Sequence, residues 1–377
     1  MNLIIKLLLP FFFLGICAHS APISTKAKYA IVIDYDTEAI LFEKDAYEKI
    51  YPASMSKLMT LYVLFDELSK GTLDLDTEFF VSKKAWKKGG SKMFVEPETK
   101  IKIKELLKGI IVQSGNDACI VVAEGISGDE EAFSDLMNEK AREMGLKGSN
   151  FTNSTGWPDE NHYMTPYDVA ILSKKIIEDF PNFFKMFKDK EYTFNNIKQN
   201  NRNPLLYSYK YADGLKTGYT EESGFSLAAT AKKANRRLIA VLSGMENNKE
   251  RRDETTKVIE WAFREYTNVN LFKANEPIVE ADVWLGNKAI VDLITKYDVE
   301  FTIPKKNLKT YTAKVLYNSP IEAPINKDSI YGKLVVSNTI NGQIEYQLYA
   351  NEVIKKAGVF KKLSSAISYF IFGGYAE

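Results

Sequence analysis

The chain has 377 residues, 45% of them hydrophobic and 26% charged, a composition that fits a folded body of two domains and excludes disorder or a collagen-like rod. Lys plus Arg number 50 against 49 Asp plus Glu, and the resulting formal charge of +1 provides no field to hold nucleic acid. The only histidines are His19 and His162 and the only cysteines Cys17 and Cys119, so no metal or other cofactor is expected, and a catalytic base would be a residue other than histidine.

Lys6 precedes an apolar run from Leu7 to Ile16, and Ala18-His19-Ser20 places small residues before a cut ahead of Ala21, which is the pattern of a secretory signal over residues 1–20. The run is far shorter than the ~20 apolar residues needed to span a bilayer, and it contains Pro10. Cleavage would leave Cys119 as the single cysteine, expected to be a small core residue and unable to form an internal disulfide.

Apolar and β-branched residues from Tyr29 to Asp34 and from Ala39 to Glu43 flank a polar turn and predict a hairpin. Pro52-Ala53-Ser54 then breaks the chain before a helix over Met55 to Lys70 with few polar positions on any side. Further helices are predicted over Lys104 to Val112, Asp117 to Glu124 and Tyr167 to Ile177. A second hairpin, Phe225 to Ala231 with Arg237 to Leu242, precedes a helix over Asp253 to Tyr266. Strands at both ends around a helical middle predict one α+β domain over residues 21–273.

After Ala274 six short strand-like runs, the last from Gln343 to Ala350, predict a separate all-β domain over residues 274–352 with a spacing or positioning role. In the final stretch, residues 353–377, Val359, Phe360, Leu363, Ala366, Ile367, Phe370 and Ile371 fall on one helical face. At about 1.5 Å per residue this segment is too short to span a bilayer, and with Lys361 and Lys362 it is expected to lie on a membrane surface.

Three short elements carry chemistry. Ser54-Met55-Ser56-Lys57 sets a hydroxyl and an amine one turn apart on one helix face. A lysine with its ordinary pKa of about 10 cannot take a proton at neutral pH, so apolar surroundings and nearby cations must favour the neutral amine. Ser114-Gly115-Asn116 offers a hydroxyl to relay a proton and an amide to donate and accept, with Gly115 allowing a tight bend between helices. Lys216-Thr217-Gly218, at the start of a predicted strand, offers a cation and a hydroxyl to a carboxylate, and a glycine where a peptide can approach the strand edge. Each element alone is common; the ordered set S-x-x-K, S-x-N, K-T-G is far more specific.

On these motifs, with Gly90-Ser91-Lys92-Met93-Phe94 and Asp213 to Thr220, the chain resembles the serine-type D-alanyl-D-alanine carboxypeptidases, the low-molecular-mass penicillin-binding proteins, over nearly its whole length. The resemblance implies a penicillin-binding/β-lactamase-like transpeptidase domain followed by a small all-β domain and an amphipathic helix. It implies Ser54 as the acylated nucleophile, Lys57 as its base, and Ser114 with Asn116 on the facing wall. Lys216, Thr217, Gly218 and Arg251, the last placed just ahead of the Asp253 helix, would bind substrate, and the backbone N–H groups of Ser54 and Tyr219 would hold the oxyanion. Tyr219 stands where some members carry histidine. The partners implied are peptidoglycan stem peptides ending in D-Ala-D-Ala, β-lactams as covalent inhibitors, and a membrane surface; the implied location is the periplasm or the outer face of the cytoplasmic membrane. A class A β-lactamase is disfavoured, because no E-x-x-L-N element lies between Asn116 and Lys216. A non-catalytic wall-binding scaffold could have lost the nucleophile or base, and both are present.

Overall fold

The computed structural model describes residues 3–7, 23–307 and 311–358. The chain divides into two compact units, one of residues 21–264 and one of residues 265–377 with residues 1–20.

In the first unit a five-stranded antiparallel sheet runs in the order Ile40–Lys44, Tyr29–Asp34, Arg236–Met245, Gly224–Lys233, Ala212–Thr220. The two predicted hairpins thus share one sheet, joined where Tyr29–Asp34 pairs with Arg236–Met245. Ala30, Ile31 and Val32 are fully buried, as expected of an inner strand without polar alternation. The helix Lys57–Ser69 has Leu58, Met59, Leu61, Leu64 and Phe65 wholly inside, which is why its sequence lacks a polar face. It shares a core with Ile110, Ile120 and Leu172 from the helices Ile103–Ile111, Asn116–Ser127 and Pro166–Asp179. Each fully buried side chain of this kind contributes roughly 1.5–3 kcal/mol. Cys119 lies in this core at zero exposure, and burial pushes its thiol pKa up to about 12, so it is unreactive as well as unpaired.

Two boundaries and one helix differ from the sequence reading. The last helix of this unit spans Asn248–Glu265, so Arg251 lies within it instead of ahead of it. The strand carrying Lys216 begins at Ala212, which places that lysine mid-strand. There the buried Arg237 guanidinium donates to both carboxylate oxygens of Asp213, at 2.7 and 2.8 Å, pinning the strand. The helix Glu130–Glu143, capped by Asp129 accepting from the Ala132 N–H at 2.8 Å, was not anticipated.

The second unit is built on a seven-stranded sheet in which Tyr311–Asn318, Ile330–Asn338 and Gly342–Ala350 pair antiparallel in sequence. Val315, Leu334 and Leu348 form its core with Phe301. Tyr266–Phe272 pairs with Val299–Pro304, which assigns it here and moves the start of the unit from residue 274 to residue 265. At the other end Lys356 still bridges to Gly286 and Ile354 to Ile325, so the β-rich fold extends beyond residue 352. The amphipathic stretch from Val359 lies outside the described residues, as do most of residues 1–20; Leu3–Leu7 pairs antiparallel with Tyr311–Asn318. No helix among the described residues is long and apolar enough to cross a membrane.

Candidate active site

Ser54 sits on a 3-10 turn, Ala53–Ser56, that runs directly into the helix beginning at Lys57. The turn replaces the first helical turn expected from the sequence and still brings the amine over the hydroxyl, with Lys57 Nζ 2.8 Å from Ser54 Oγ. The same Nζ donates to the Thr155 carbonyl at 2.6 Å. Lys57 has no solvent exposure, and burial, aided by the positive charges of Arg202 and Lys88, lowers its pKa to about 8. The condition set by the sequence, an amine able to be neutral near physiological pH, is met mainly by desolvation.

The loop that offers Thr155 approaches the turn very closely. Gly156 has φ +74, and a Cβ there would lie 1.8 Å from the Ala53 carbonyl oxygen, so only glycine fits. Asn153 organises the same loop, its Oδ1 accepting from the backbone N–H groups of Thr155 and Trp157 at 3.1 and 2.9 Å. The polar residues of this stretch therefore build a turn.

On the facing wall, Ser114 is 2% exposed and carries φ +59, so at the bend between the helices it is the serine, and not Gly115, that takes the left-handed conformation. Lys216 reaches across 102 residues of chain to donate to Ser114 Oγ at 2.8 Å. Burial holds Lys216 well below its ordinary pKa, with repulsion from Lys57 next in size. Asn116 opens the next helix and donates from Nδ2 to the Gly89 carbonyl at 2.8 Å. Asp117 beside it accepts from the backbone N–H groups of Met93, Phe94 and Val95 at 2.9 to 3.2 Å, which fixes the lip carrying Ser91.

The strand end Thr217–Gly218 closes the cleft. A Cβ on Gly218 would lie 2.7 Å from the Pro52 carbonyl oxygen, so glycine lets this strand pack against the turn bearing Ser54. Arg251 is 7% exposed; its Nη2 donates to Asn248 Oδ1 at 2.7 Å and its Nη1 to the Gly218 carbonyl at 3.4 Å. Burial, then repulsion from Arg202, lowers its pKa to about 10, leaving it charged at neutral pH. Tyr219 is half exposed and packs on Phe225, ring centroids 4.4 Å apart.

Ser54, Ser91, Ser114, Arg202, Thr217, Gly218, Tyr219, Phe225 and Arg251 line one cleft of about 220 Å³. The structure therefore gathers the three motifs and Arg251, and adds Arg202, Ser91 and the Thr155 carbonyl, none of which sequence reasoning singled out as chemical. A positive Arg202 beside the cleft had no local signal, because Asn200-Asn201-Arg202-Asn203 reads as a polar loop. A hydroxyl beside an amine of lowered pKa, a second buried hydroxyl–amine pair and a buried, charged guanidinium at the cleft suit acyl transfer on a substrate ending in a carboxylate. Among the described residues no three His, Cys, Asp or Glu side chains gather to hold a metal ion. A wider, open depression of about 640 Å³ lies on the sheet of the second unit, lined by Tyr317, Tyr331 and Tyr346 among others, and contains no comparable cluster.

The family model described as D-alanyl-D-alanine carboxypeptidase, Peptidase S11, matches residues 17–247, and that of the penicillin-binding protein 5 C-terminal domain matches residues 266–356. The chain is 36% identical to D-alanyl-D-alanine carboxypeptidase DacF of Bacillus subtilis over 90% of its own length and 88% of that protein's. It is 35% identical to DacC of Escherichia coli K12, covering 90% and 87% of the two chains. The solved structure of penicillin-binding protein 5 from Haemophilus influenzae is similar with a TM-score of 0.83 at 34% identity, over 89% of this chain and 99% of that one.

Proposed function

The chain belongs to the D-alanyl-D-alanine carboxypeptidase family, and from that premise we propose that it removes the terminal D-alanine of peptidoglycan stem peptides through an acyl-enzyme on Ser54. The observation that carries this reading is the 2.8 Å contact between Ser54 Oγ and a buried Lys57 whose pKa lies near 8. In the proposed sequence Lys57 takes the hydroxyl proton as Ser54 Oγ attacks the penultimate carbonyl. The backbone N–H groups of Ser54 and Tyr219 hold the oxyanion, worth on the order of 3 kcal/mol per donor. Collapse breaks the peptide bond as the proton held by Lys57 passes through the Ser114 hydroxyl to the leaving D-alanine nitrogen, which leaves Lys57 neutral again. Water, activated by Lys57, then releases the shortened peptide. β-lactams, which present a similar carbonyl and carboxylate, would stop at the acyl stage. The experiment is to incubate the protein with labelled penicillin and with a peptide ending in D-Ala-D-Ala, map the label and measure free alanine. Label on Ser54 with alanine release is expected; label on Ser114, or none on active protein, would discard the assignment.

Thr217, Lys216 and Arg251 are proposed to bind the terminal carboxylate, supported by the buried, charged Arg251 beside the Gly218 strand end. Arg251→Ala is expected to cut kcat/KM for a free-acid peptide by about 10-fold to 100-fold and much less for its amide, since a charge-assisted hydrogen bond worth roughly 1.5–3 kcal/mol is lost only where the charge exists. Equal losses on both peptides would remove the carboxylate from that position.

We also propose an exported enzyme held peripherally at the outer face of the cytoplasmic membrane by the amphipathic stretch from Val359. Deleting residues 359–377 should abolish co-sedimentation with anionic vesicles and leave carboxypeptidase activity on a soluble peptide unchanged. Full sedimentation of the shortened protein would place the anchor elsewhere.

A further inference from the structure

His162 belongs to none of the three motifs and does not line the cleft, yet it is buried to 2% exposure directly behind it. Its ring packs edge-on against Phe151, centroids 5.6 Å apart. Nδ1 lies 3.1 Å from the backbone nitrogen of Thr152. A backbone N–H can only donate, so Nδ1 is the acceptor, and the neutral ring must carry its proton on Nε2. Nε2 is 2.7 Å from Ser56 Oγ, and the imidazole therefore donates to the serine. Burial lowers the histidine pKa to about 4; the charges acting on it are Asp159 from its own loop, which raises it, and Lys57 from the facing helix, which lowers it further. The ring stays neutral, and the direction of this hydrogen bond is constant, throughout the pH range in which Lys57 titrates.

Ser56 is fully buried and lies within the motif itself, one residue before Lys57. The loop on the other side of this bond is the one whose Thr155 carbonyl accepts from Lys57 at 2.6 Å. Thr60 Oγ1 donates to the Ser154 carbonyl of the same loop at 2.6 Å, and Gly156 sits against Ala53 and Ser56. The turn bearing the nucleophile and the loop steadying the amine are thus joined at several points, and His162 to Ser56 is the one made between two side chains.

We propose that His162 is a positioning residue: its Nε2–H, by holding Ser56 Oγ, sets the separation between the Ser54–Lys57 turn and the Thr155 carbonyl, and so aims the Lys57 amine at Ser54 Oγ. It touches no substrate and takes no proton. The inference rests on the reading of Ser54 as nucleophile and Lys57 as base.

The test compares full-length wild type with His162→Phe, Ser56→Ala, the double variant and His162→Gln, whose amide N–H can replace the donor. The acylation rate with penicillin is followed from about pH 6 to about pH 10, together with the fraction of molecules that can be titrated. His162→Phe and Ser56→Ala should each slow acylation near neutral pH by about 10-fold to 100-fold, since small displacements of reacting groups cost on that order. The loss should shrink as pH rises, because an amine freed toward solvent deprotonates later. His162→Gln should recover most of the rate, and the double variant should be no worse than either single one, as for two ends of one bond. An unshifted profile at wild-type rate, or a loss confined to the titratable fraction with normal kinetics in the remainder, overturns the inference. If wild type itself is not labelled at Ser54, the functional reading falls as well; label at Ser54 with unaltered variants removes only the role of His162.

Discussion

Replacing Lys57 with alanine is expected to slow penicillin acylation of Ser54 by about 100-fold to 10,000-fold, the usual loss when a positioned general base is removed. Noncovalent binding should persist, because the groups proposed to hold the carboxylate sit on the strand Ala212–Thr220 and the helix Asn248–Glu265. Lys57→Arg should be no better than alanine, since a guanidinium does not give up its proton in this range. Stopped-flow acylation with intact-mass readout separates the two steps. A variant that acylates at the wild-type rate would move the base to another residue, with Lys216 the nearest candidate by burial and lowered pKa.

A second large effect is expected from pH alone. The folded-state pKa of Lys57 is lowered to about 8, and the reactive form is the neutral one. Raising the pH through 8 therefore increases the reactive fraction, and below 8 the acylation rate should fall roughly tenfold per pH unit before other groups intervene. His162, already neutral there, adds no inflection of its own between pH 5 and 8. A profile flat from about pH 6 to about pH 9 would show that the base does not titrate in the accessible range.

What could be read from the sequence follows from how far apart the cooperating residues lie along the chain. Ser54 and Lys57 cooperate across a single turn, so their chemistry and the apolar helix that desolvates the amine stand in one short window. Lys216 could be matched to Ser114 only through the ordered set of motifs, because their contact crosses 102 residues. Thr155, Arg202 and His162 act through a backbone carbonyl, a long-range charge and a buried ring, and none of these leaves a local pattern. The start of the helix Asn248–Glu265 was hidden because Asn248-Lys249-Glu250-Arg251-Arg252 lacks apolar spacing. Thr267, Asn268 and Asn270 concealed the strand Tyr266–Phe272 in the same way. The helix Glu130–Glu143 did carry a signal, an Asp129 cap followed by Phe133, Met137 and Ala141, all now buried.

The packing of Gly218 on Pro52 has a bearing on how the enzyme comes into being. The turn with Ser54 is made early in the chain, and the strand that seals it comes more than a hundred residues later, after the helical middle. That sheet also requires Tyr29–Asp34 to find Arg236–Met245, a pairing of high sequence separation that forms slowly because loop closure precedes any gain from contact. Ser54 and Lys57 are neighbours from the moment they are synthesised, but the Thr155 carbonyl, the Lys216–Ser114 pair and the strand edge arrive only with the closed domain. On the proposed role of Ser54, a nascent or unfolded chain therefore carries this serine in an inert state, and competence to acylate is expected as one of the last events of folding.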